Sequence, residues 1–277
     1  MGSKKKIIPQ ILPLIPKNYQ TYIEPFLGSG ALYLALMPKK AIINDHNSHL
    51  IQLWKTFLQT PHPFYQQVIK LEKQLFQTSD LTTTKQQFQS FITQFNHLQA
   101  QSHLKISDLI FKNALFLIIN KYSYKSILYR PNCSVLKADW GYHPPIQQIL
   151  NLADLMKISQ HFHQNQHQIH QLDYLEIIQQ ANPQDFLFLD PPYFFSGIET
   201  KKYNFYHTPF TWADHEKLAY YLKKLDQQGT KWLYMNYDTP AIRTLFTNFM
   251  ACSLPSSTHY NSQKLPEIII LNYQIKS

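Results

Sequence analysis

Apolar residues gather along this chain in two ways. Short unbroken runs closed by Gly, Asp or Asn have the length of buried strands, and longer stretches with apolar residues three or four apart have the period of helices. Thr21–Phe26 reads as a short strand that enters Leu27-Gly28-Ser29-Gly30, and beyond it Ala31, Leu34, Ala35 and Leu36 fall at helical spacing. Ala41–Asn44 predicts a second buried strand ended by Asp45, and from Asn47 onward Leu50, Ile51, Trp54, Phe57 and Leu58 predict a helix. A strand-helix-strand-helix order implies a parallel sheet. From about Pro61 to Ile119 no strand pattern appears; this Gln-rich stretch predicts helices near 64–78, 84–98 and 106–119, so the sheet is interrupted. Between Asn120 and Tyr142 the period breaks into NKYSYKSILYRPNCSVLKADWGY, basic and aromatic by turns, which suits an irregular surface loop or hairpin. A helix at 146–160 leads back to strands at 167–172, 186–190 and 231–236, with a helix at 211–228 before the last of them. Ser256–Thr258 and Glu267–Tyr273 predict a terminal strand pair, with Asn261-Ser262 in or near the turn.

Composition narrows the class. Of 277 residues, 44% are hydrophobic and 16% charged, so the chain is globular and long enough to bury a core without staples. The two cysteines, Cys133 and Cys252, have neither disulfide-framework nor metal-ligand spacing and fit a reducing compartment, so a cytoplasmic location is expected. No apolar run approaches a membrane span; Ala114–Ile119 reads as a fragment of a buried helix. The basic and apolar start is broken by Pro9, Pro13 and Pro16 and reads poorly as a signal peptide. Lys and Arg number 26 against 17 Asp and Glu, a formal charge of +9, which favours a polyanionic partner without identifying a site for it. The His-rich stretch 161–171 lacks cysteine or regularly spaced acidic ligands, so no metal is expected there.

Two segments carry chemistry. In Glu24–Gly30, EPFLGSG, a turn at a strand end with Gly28 and Gly30 lets backbone approach a ligand and aims a helix N-terminus at it. The third glycine of a dinucleotide fingerprint is missing, which disfavours NAD. Asp45, closing the next strand, is placed either to accept from two ribose hydroxyls or to cap a helix; with the glycine turn it points to a nucleoside-containing cofactor. The second segment is Asp190-Pro191-Pro192-Tyr193 after the apolar run Phe186–Leu189. The prolines offer no N–H and fix φ, leaving stiff backbone with free carbonyls. Asp190 adds an acceptor and Tyr193 a flat face. Two acceptors gripping the two N–H bonds of an exocyclic amine would localise its lone pair and aim it at a sulfonium methyl, a transfer that needs positioning and preorganised electrostatics. The target base must leave the duplex, and stacking on Tyr193 would offset part of that cost.

The order EPFLGSG, IINDHNSHLIQLW, FLIINKYSYKSILYR, QLDYLEII, FLFLDPPYF, FTWADHEKLAYYLKKLDQQGTKWLYMNYDTPAIRTLF and EIIILNY resembles the DNA adenine methylase family, S-adenosylmethionine-dependent N6-adenine methyltransferases. The resemblance covers nearly the whole chain. It implies an α/β, Rossmann-like seven-stranded mixed sheet of class I methyltransferases, carrying an inserted mainly helical target-recognition domain. The boundaries expected are 1–60 and 146–277 for the catalytic domain and 61–145 for the insertion. It implies that Glu24, Pro25, Phe26, Gly28 and Gly30 surround the cofactor's methionine end, that Asp45 holds its ribose, and that Asp173 and Tyr174 hold and stack its adenine; a helix cap is the other reading of Asp173. Asp190, Pro191, Pro192 and Tyr193 become the methyl-acceptor site. Asn120, Lys121, Tyr124, Lys125 and Arg130 become the DNA-entering loop, with Arg130 on a guanine or phosphate, the lysines on phosphates and Tyr124 in the gap left by the flipped base. Gly2, Ser3 and Lys4 alone correspond to the family's Trp-Ala-Gly-Gly-Lys-like cofactor-binding start, and Ser126 stands where the recognition loop usually has glycine. The expected cofactor is S-adenosylmethionine and the expected partner double-stranded DNA, with a monomer, no membrane and no metal. N4-cytosine or RNA amino-methylation and a silent DNA-binding module are the alternatives.

Overall fold

The computed structural model describes residues 7–124, 128, 135–141, 150–194, 210–254 and 266–275. They fall into two compact units: a helical one made mainly of Asn47–Gln164, and one in which Gly2–His46 is joined by Asn165–Ile198 and Phe210–Ser277.

The second unit is built on a seven-stranded sheet. Its strands are β1 (Tyr22–Glu24), β2 (Ala41–Asn44), β3 (Gln168–His170), β4 (Phe186–Leu189), β5 (Lys231–Tyr237), β6 (Met250–Leu254) and β7 (Glu267–Leu271), in the order β3-β2-β1-β4-β5-β7-β6. The first five in that order are parallel, and β7 runs antiparallel between β5 and β6. The central strand β4, FLFL, is buried throughout, as an uninterrupted apolar run covered on both faces should be. Residues of one parity, Ile23, Leu187, Leu189, Trp232, Tyr234, Ile268 and Ile270, join a core with helices α8 (Tyr174–Ile178), α9 (Trp212–Gln227) and α10 (Pro240–Leu245). Residues of the other parity form an aromatic set in which Phe186 meets Tyr19, Tyr22 and Tyr273. The Trp232 indole N–H donates to Leu222 O at 2.9 Å, so the largest buried ring leaves no polar group unmet. Helices α1 (Ile8–Ile11) and α2 (Ala31–Leu36) complete the unit.

The helical unit holds α3 (Ser48–Gln59), α4 (Pro61–Leu75), α5 (Leu81–Gln99), α6 (Ile106–Tyr122) and α7 (Leu152–Gln164). It reaches beyond 61–145 at both ends because α3 and α7 pack on the helices of that stretch. Helix α6 is apolar nearly all round, with Ala114, Leu115, Phe116, Ile118 and Ile119 at 1% exposure or less, as its uninterrupted run requires. Its buried Lys112 is met by two amide oxygens, Gln52 Oε1 at 2.9 Å and Gln99 Oε1 at 3.2 Å. Among the described residues no helix is long and apolar enough to cross a membrane.

Three expectations shift. The strand before β7 is Met250–Leu254, earlier than Ser256–Thr258, which lie outside the described residues. Its first four residues are exposed on the sheet edge, so no buried alternation marks it and only backbone pairing with β7 sets it. The helix expected at 146–160 is Leu152–Gln164, its earlier part likewise outside the described residues. Helix α6 continues past Ile119 to Tyr122, because Tyr122 falls in phase with Ile118 and Ile119 and its hydroxyl reaches Glu72 Oε1 at 2.9 Å.

Candidate active site

The strand order reverses direction at β1: the chain moves outward from β1 to β2 to β3, then returns to β4 on the other side of β1. A crevice at the carboxyl ends of strands about such a switch point is where open α/β sheets bind ligands. Here those ends carry Glu24 on β1 and Asp190 directly after β4, with Asp45 after the neighbouring β2. Glu24 is 2% exposed and accepts from the Tyr22 hydroxyl at 2.8 Å. Burial raises its pKa well above the usual carboxylate range; the Tyr22 bond and the Tyr33 backbone N–H in the first turn of α2 oppose the rise, and the charges of Asp190 and Asp45 add to it. Glu24 therefore feels both neighbouring carboxylates.

The glycine turn is held from the next strand. Gly28 has φ +50° and donates its N–H to Asp45 Oδ2 at 2.9 Å, while Gly30, φ +64°, occupies the N-cap of α2. A Cβ built on Gly28 would meet nothing within 4 Å, so this glycine answers to its left-handed backbone and leaves that side open to a ligand. Asp45 is thus a brace for the turn; the helix that follows is capped by Asn47 instead, whose side chain accepts from the His49 and Leu50 N–H groups. Pro25 O accepts from the Asn44 side-chain amide at 3.0 Å, and the same amide exchanges hydrogen bonds with Leu172 N and O. Fully buried Asn44 therefore ties the loops after β1 and β3 together.

Those loops present aromatic rings. Phe26 lies 5.2 Å from Tyr174 and 5.7 Å from Phe210, the latter edge-on, and Tyr174 is 5.6 Å from Phe210. Asp173 caps α8: it accepts from Leu175 N at 2.8 Å, and Glu176 completes the box by accepting from Asp173 N at 3.3 Å. The cap reading of Asp173 is therefore realised. After β4, Pro191 is buried while Asp190, Pro192 and Tyr193 are half-buried. The Tyr193 hydroxyl donates to Glu267 Oε2 at 2.8 Å and also interacts with Asp190, and its ring packs edge-on to Tyr237 at 4.7 Å. Burial, then the charges of Asp190 and Glu267, push the Tyr193 pKa well above its usual value.

The structure thus gathers Glu24, Pro25, Phe26, Gly28, Gly30, Asp45, Asp173, Tyr174 and Asp190–Tyr193 in the sheet unit, at the carboxyl ends of its strands. Asn120, Lys121 and Tyr124 belong to the helical unit. Asn120 and Lys121 sit on the last turn of α6 rather than in a loop, and Tyr124, 52% exposed, follows Ser123, which forms an antiparallel bridge with Trp140. The segment 135–141 is anchored by Trp140 stacked on Tyr122 and by Asn96, whose side chain bonds both Leu136 N and Leu136 O. Gly2, Ser3, Lys4, Lys125 and Arg130 lie outside the described residues. Of the histidine-rich stretch, His167 meets the Tyr33 hydroxyl, His163 Leu58 O and His170 Gln168. Among the described residues no group of three or more His, Cys, Asp or Glu is placed to hold a metal. Asn44, His215, Asn236 and Glu267 escaped the sequence reading. The signal for the asparagines was there, a polar amide in an otherwise apolar strand in AIIN and in KWLYMNY.

A sheet of order β3-β2-β1-β4-β5-β7-β6 with β7 reversed, bearing a glycine turn after β1 and an acidic strand end on β4, is that of a Rossmann-like class I methyltransferase. The family model for D12 class N6 adenine-specific DNA methyltransferases matches residues 1–260. The chain belongs to that family, and it is an adenine-specific DNA methyltransferase. It is similar to the type II methyltransferase M1.LlaDCHI of Lactococcus lactis subsp. cremoris, 24% identical across 98% of this chain and 93% of that protein. It is also similar to the type II methyltransferase M.MjaIII of Methanocaldococcus jannaschii, 25% identical across 98% and 96%. The modification methylase StsI of Streptococcus sanguinis is 25% identical across the whole of this chain, which spans 42% of StsI.

Proposed function

We propose that this enzyme binds S-adenosylmethionine at the carboxyl ends of β1, β2 and β3 and methylates N6 of an adenine held by Asp190 and the Pro191 carbonyl in duplex DNA. The observation that carries the reading is the placement of the glycine turn and Asp190 on adjacent strands, β1 and β4, at the switch point. The residues suit the cofactor: the open side of Gly28 admits close backbone approach, and the Asp190 and Asp45 charges that raise the Glu24 pKa favour a ligand with cationic centres. Glu24, Pro25, Phe26, Gly28 and Gly30 would hold its methionine end, with Gly2, Ser3 and Lys4 contributing from the start of the chain. Asp45 would hold the ribose, and Tyr174 with the Asp173 loop the adenine. When bound, the cofactor supplies a methyl group on a positively charged sulfur.

The protein's own part is grip and aim. Pro191 and Pro192 cannot donate, so nothing in the motif's imide backbone competes for the Pro191 carbonyl, and that oxygen with Asp190 accepts the two N6 hydrogens. The grip draws the lone pair out of the ring system and points it along the transfer axis. Asp190 receives the proton displaced as the new C–N bond forms. Tyr193, fixed by Glu267, gives the extruded base a face to stack against. The helical unit would read the target, with Tyr124 and Lys121 on the duplex and Lys125 and Arg130 beyond them. Relatives named as type II methyltransferases favour a restriction-modification setting. On this reading the enzyme acts as a monomer in the cytoplasm. Replacing Asp190 by alanine tests the reading: methyl transfer is expected to fall by at least ~100-fold while cofactor and DNA binding, measured by calorimetry, persist. Near-normal turnover overturns it.

A further inference from the structure

The two prolines after Asp190 pose a mechanical problem. They remove two backbone N–H groups, so the ordinary ladder cannot hold this segment and side chains must. Behind it lies a buried polar chain. Phe194 N donates to Asn236 Oδ1 at 3.0 Å, Asn236 Nδ2 donates to the Tyr234 hydroxyl at 2.8 Å, and that hydroxyl lies 3.1 Å from His215 Nδ1. Asn236 and Tyr234 are fully buried and His215 is 1% exposed.

Two backbone donors orient the amide in this chain. Asn236 Oδ1 also accepts from Tyr237 N at 2.9 Å, so two backbone donors fix which end of the amide is oxygen. Its nitrogen must then donate to Tyr234. Having accepted from Asn236, the Tyr234 hydroxyl can donate its one proton to His215 Nδ1, an arrangement that calls for a neutral imidazole with its proton on Nε2. Nε2 is buried and makes no full hydrogen bond among the described residues, while the Pro192 carbonyl acts on the ring. Phe194, Phe210 and Trp212 close around His215 at 4.7 to 6.1 Å between ring centres and prevent it from swinging away. The chain therefore holds the acceptor segment by a hydrogen bond at the Phe194 N–H, with the His215 ring set beside the Pro192 carbonyl.

We propose that His215, Tyr234 and Asn236 are positioning residues that fix the Pro192–Phe194 backbone, and through it the Asp190 carboxylate and Pro191 carbonyl, for methyl transfer. The inference deepens the assignment of Asp190 as the acceptor group and rests on it. Tyr234→Phe removes one oxygen at constant shape, breaking the chain in its middle. It is expected to lower kcat 10- to 100-fold, by analogy with the cost of small misplacements, with the cofactor KM changed less than about twofold. His215→Ala combined with Tyr234→Phe is expected to be no slower than His215→Ala alone, since the chain is already broken. In the wild-type enzyme, ¹⁵N shifts of labelled histidine should show His215 Nδ1 unprotonated, and Tyr234→Phe should shift that tautomer balance. Assays are run where circular dichroism shows each variant fully folded, so that lost stability alone leaves kcat unmoved. If His215→Ala does not fold, Tyr234→Phe and the tautomer measurement decide. A wild-type kcat in Tyr234→Phe beside an inactive Asp190→Ala overturns this inference alone. An active Asp190→Ala overturns the acceptor assignment, and this inference with it.

Discussion

Two buried ionisable side chains set the pH behaviour of the sheet unit in opposite directions. His215 has its pKa lowered to about 4 by burial, against smaller upward pulls from Asp214 and the Pro192 carbonyl. The unfolded chain therefore takes up this proton first as pH falls below about 6.5, and the folded state loses stability from there down through about 4. The full loss would be about 3 kcal/mol. Urea unfolding at pH 7 and pH 5 should show a drop that largely disappears in a folded His215 variant such as His215→Asn. Glu24 has the reverse sign: its pKa is raised, so ionisation is easier in the unfolded chain and stability falls as pH rises from the ordinary carboxylate range through the folded value. Glu24→Gln keeps an acceptor for Tyr22 and removes that cost. It should raise the melting temperature at pH 8 and weaken S-adenosylmethionine at least ~10-fold, a trade expected of a strained functional group. A variant that is no more stable yet binds the cofactor normally would contradict the role given to Glu24.

At the scale of elements, legibility followed burial. Ala41–Asn44 appears in the structure with the bounds its apolar run implies, and Phe186–Leu189 reads as a central strand because both its faces are covered. The edge strand Met250–Leu254 has no such pattern, and the five-residue helix α8 announces itself only through the capping pair Asp173 and Glu176. Helix α10 had its cap, Thr239, and its Pro240 in plain view, yet six residues are too few for a period to show. The site divides the same way. EPFLGSG and DPPY are local and could be read, whereas Asn44, Asn236, Glu267 and His215 act on partners up to 128 residues away, and only the fold brings them together. Asn96 is another such residue. Its side chain imitates one rung of a strand for Leu136, so Asn96→Leu strands a buried N–H and C=O at a cost of about 1–3 kcal/mol. If the segment 120–141 reads the target, this variant should methylate non-cognate DNA at a rate closer to cognate, with cofactor affinity unchanged by calorimetry. Unaltered discrimination would remove that segment from recognition.

Over the whole molecule, the excess of nine positive charges fits a protein whose substrate is a polyanion. Each phosphate neutralised adds about −0.9 to the slope of log affinity against log salt, so duplex affinity should fall steeply between low and physiological salt, and a flat titration would argue against duplex binding. Charge supplies attraction, but methyl transfer turns on how one extruded base is held. The most direct measurement is a crystal structure of the enzyme with cognate DNA and a non-reactive cofactor analogue. It should place adenine N6 ~3 Å from both an Asp190 carboxylate oxygen and the Pro191 carbonyl, with the ring against Tyr193. A flipped adenine whose amino group meets neither acceptor, or a target base still stacked in the duplex, would contradict it.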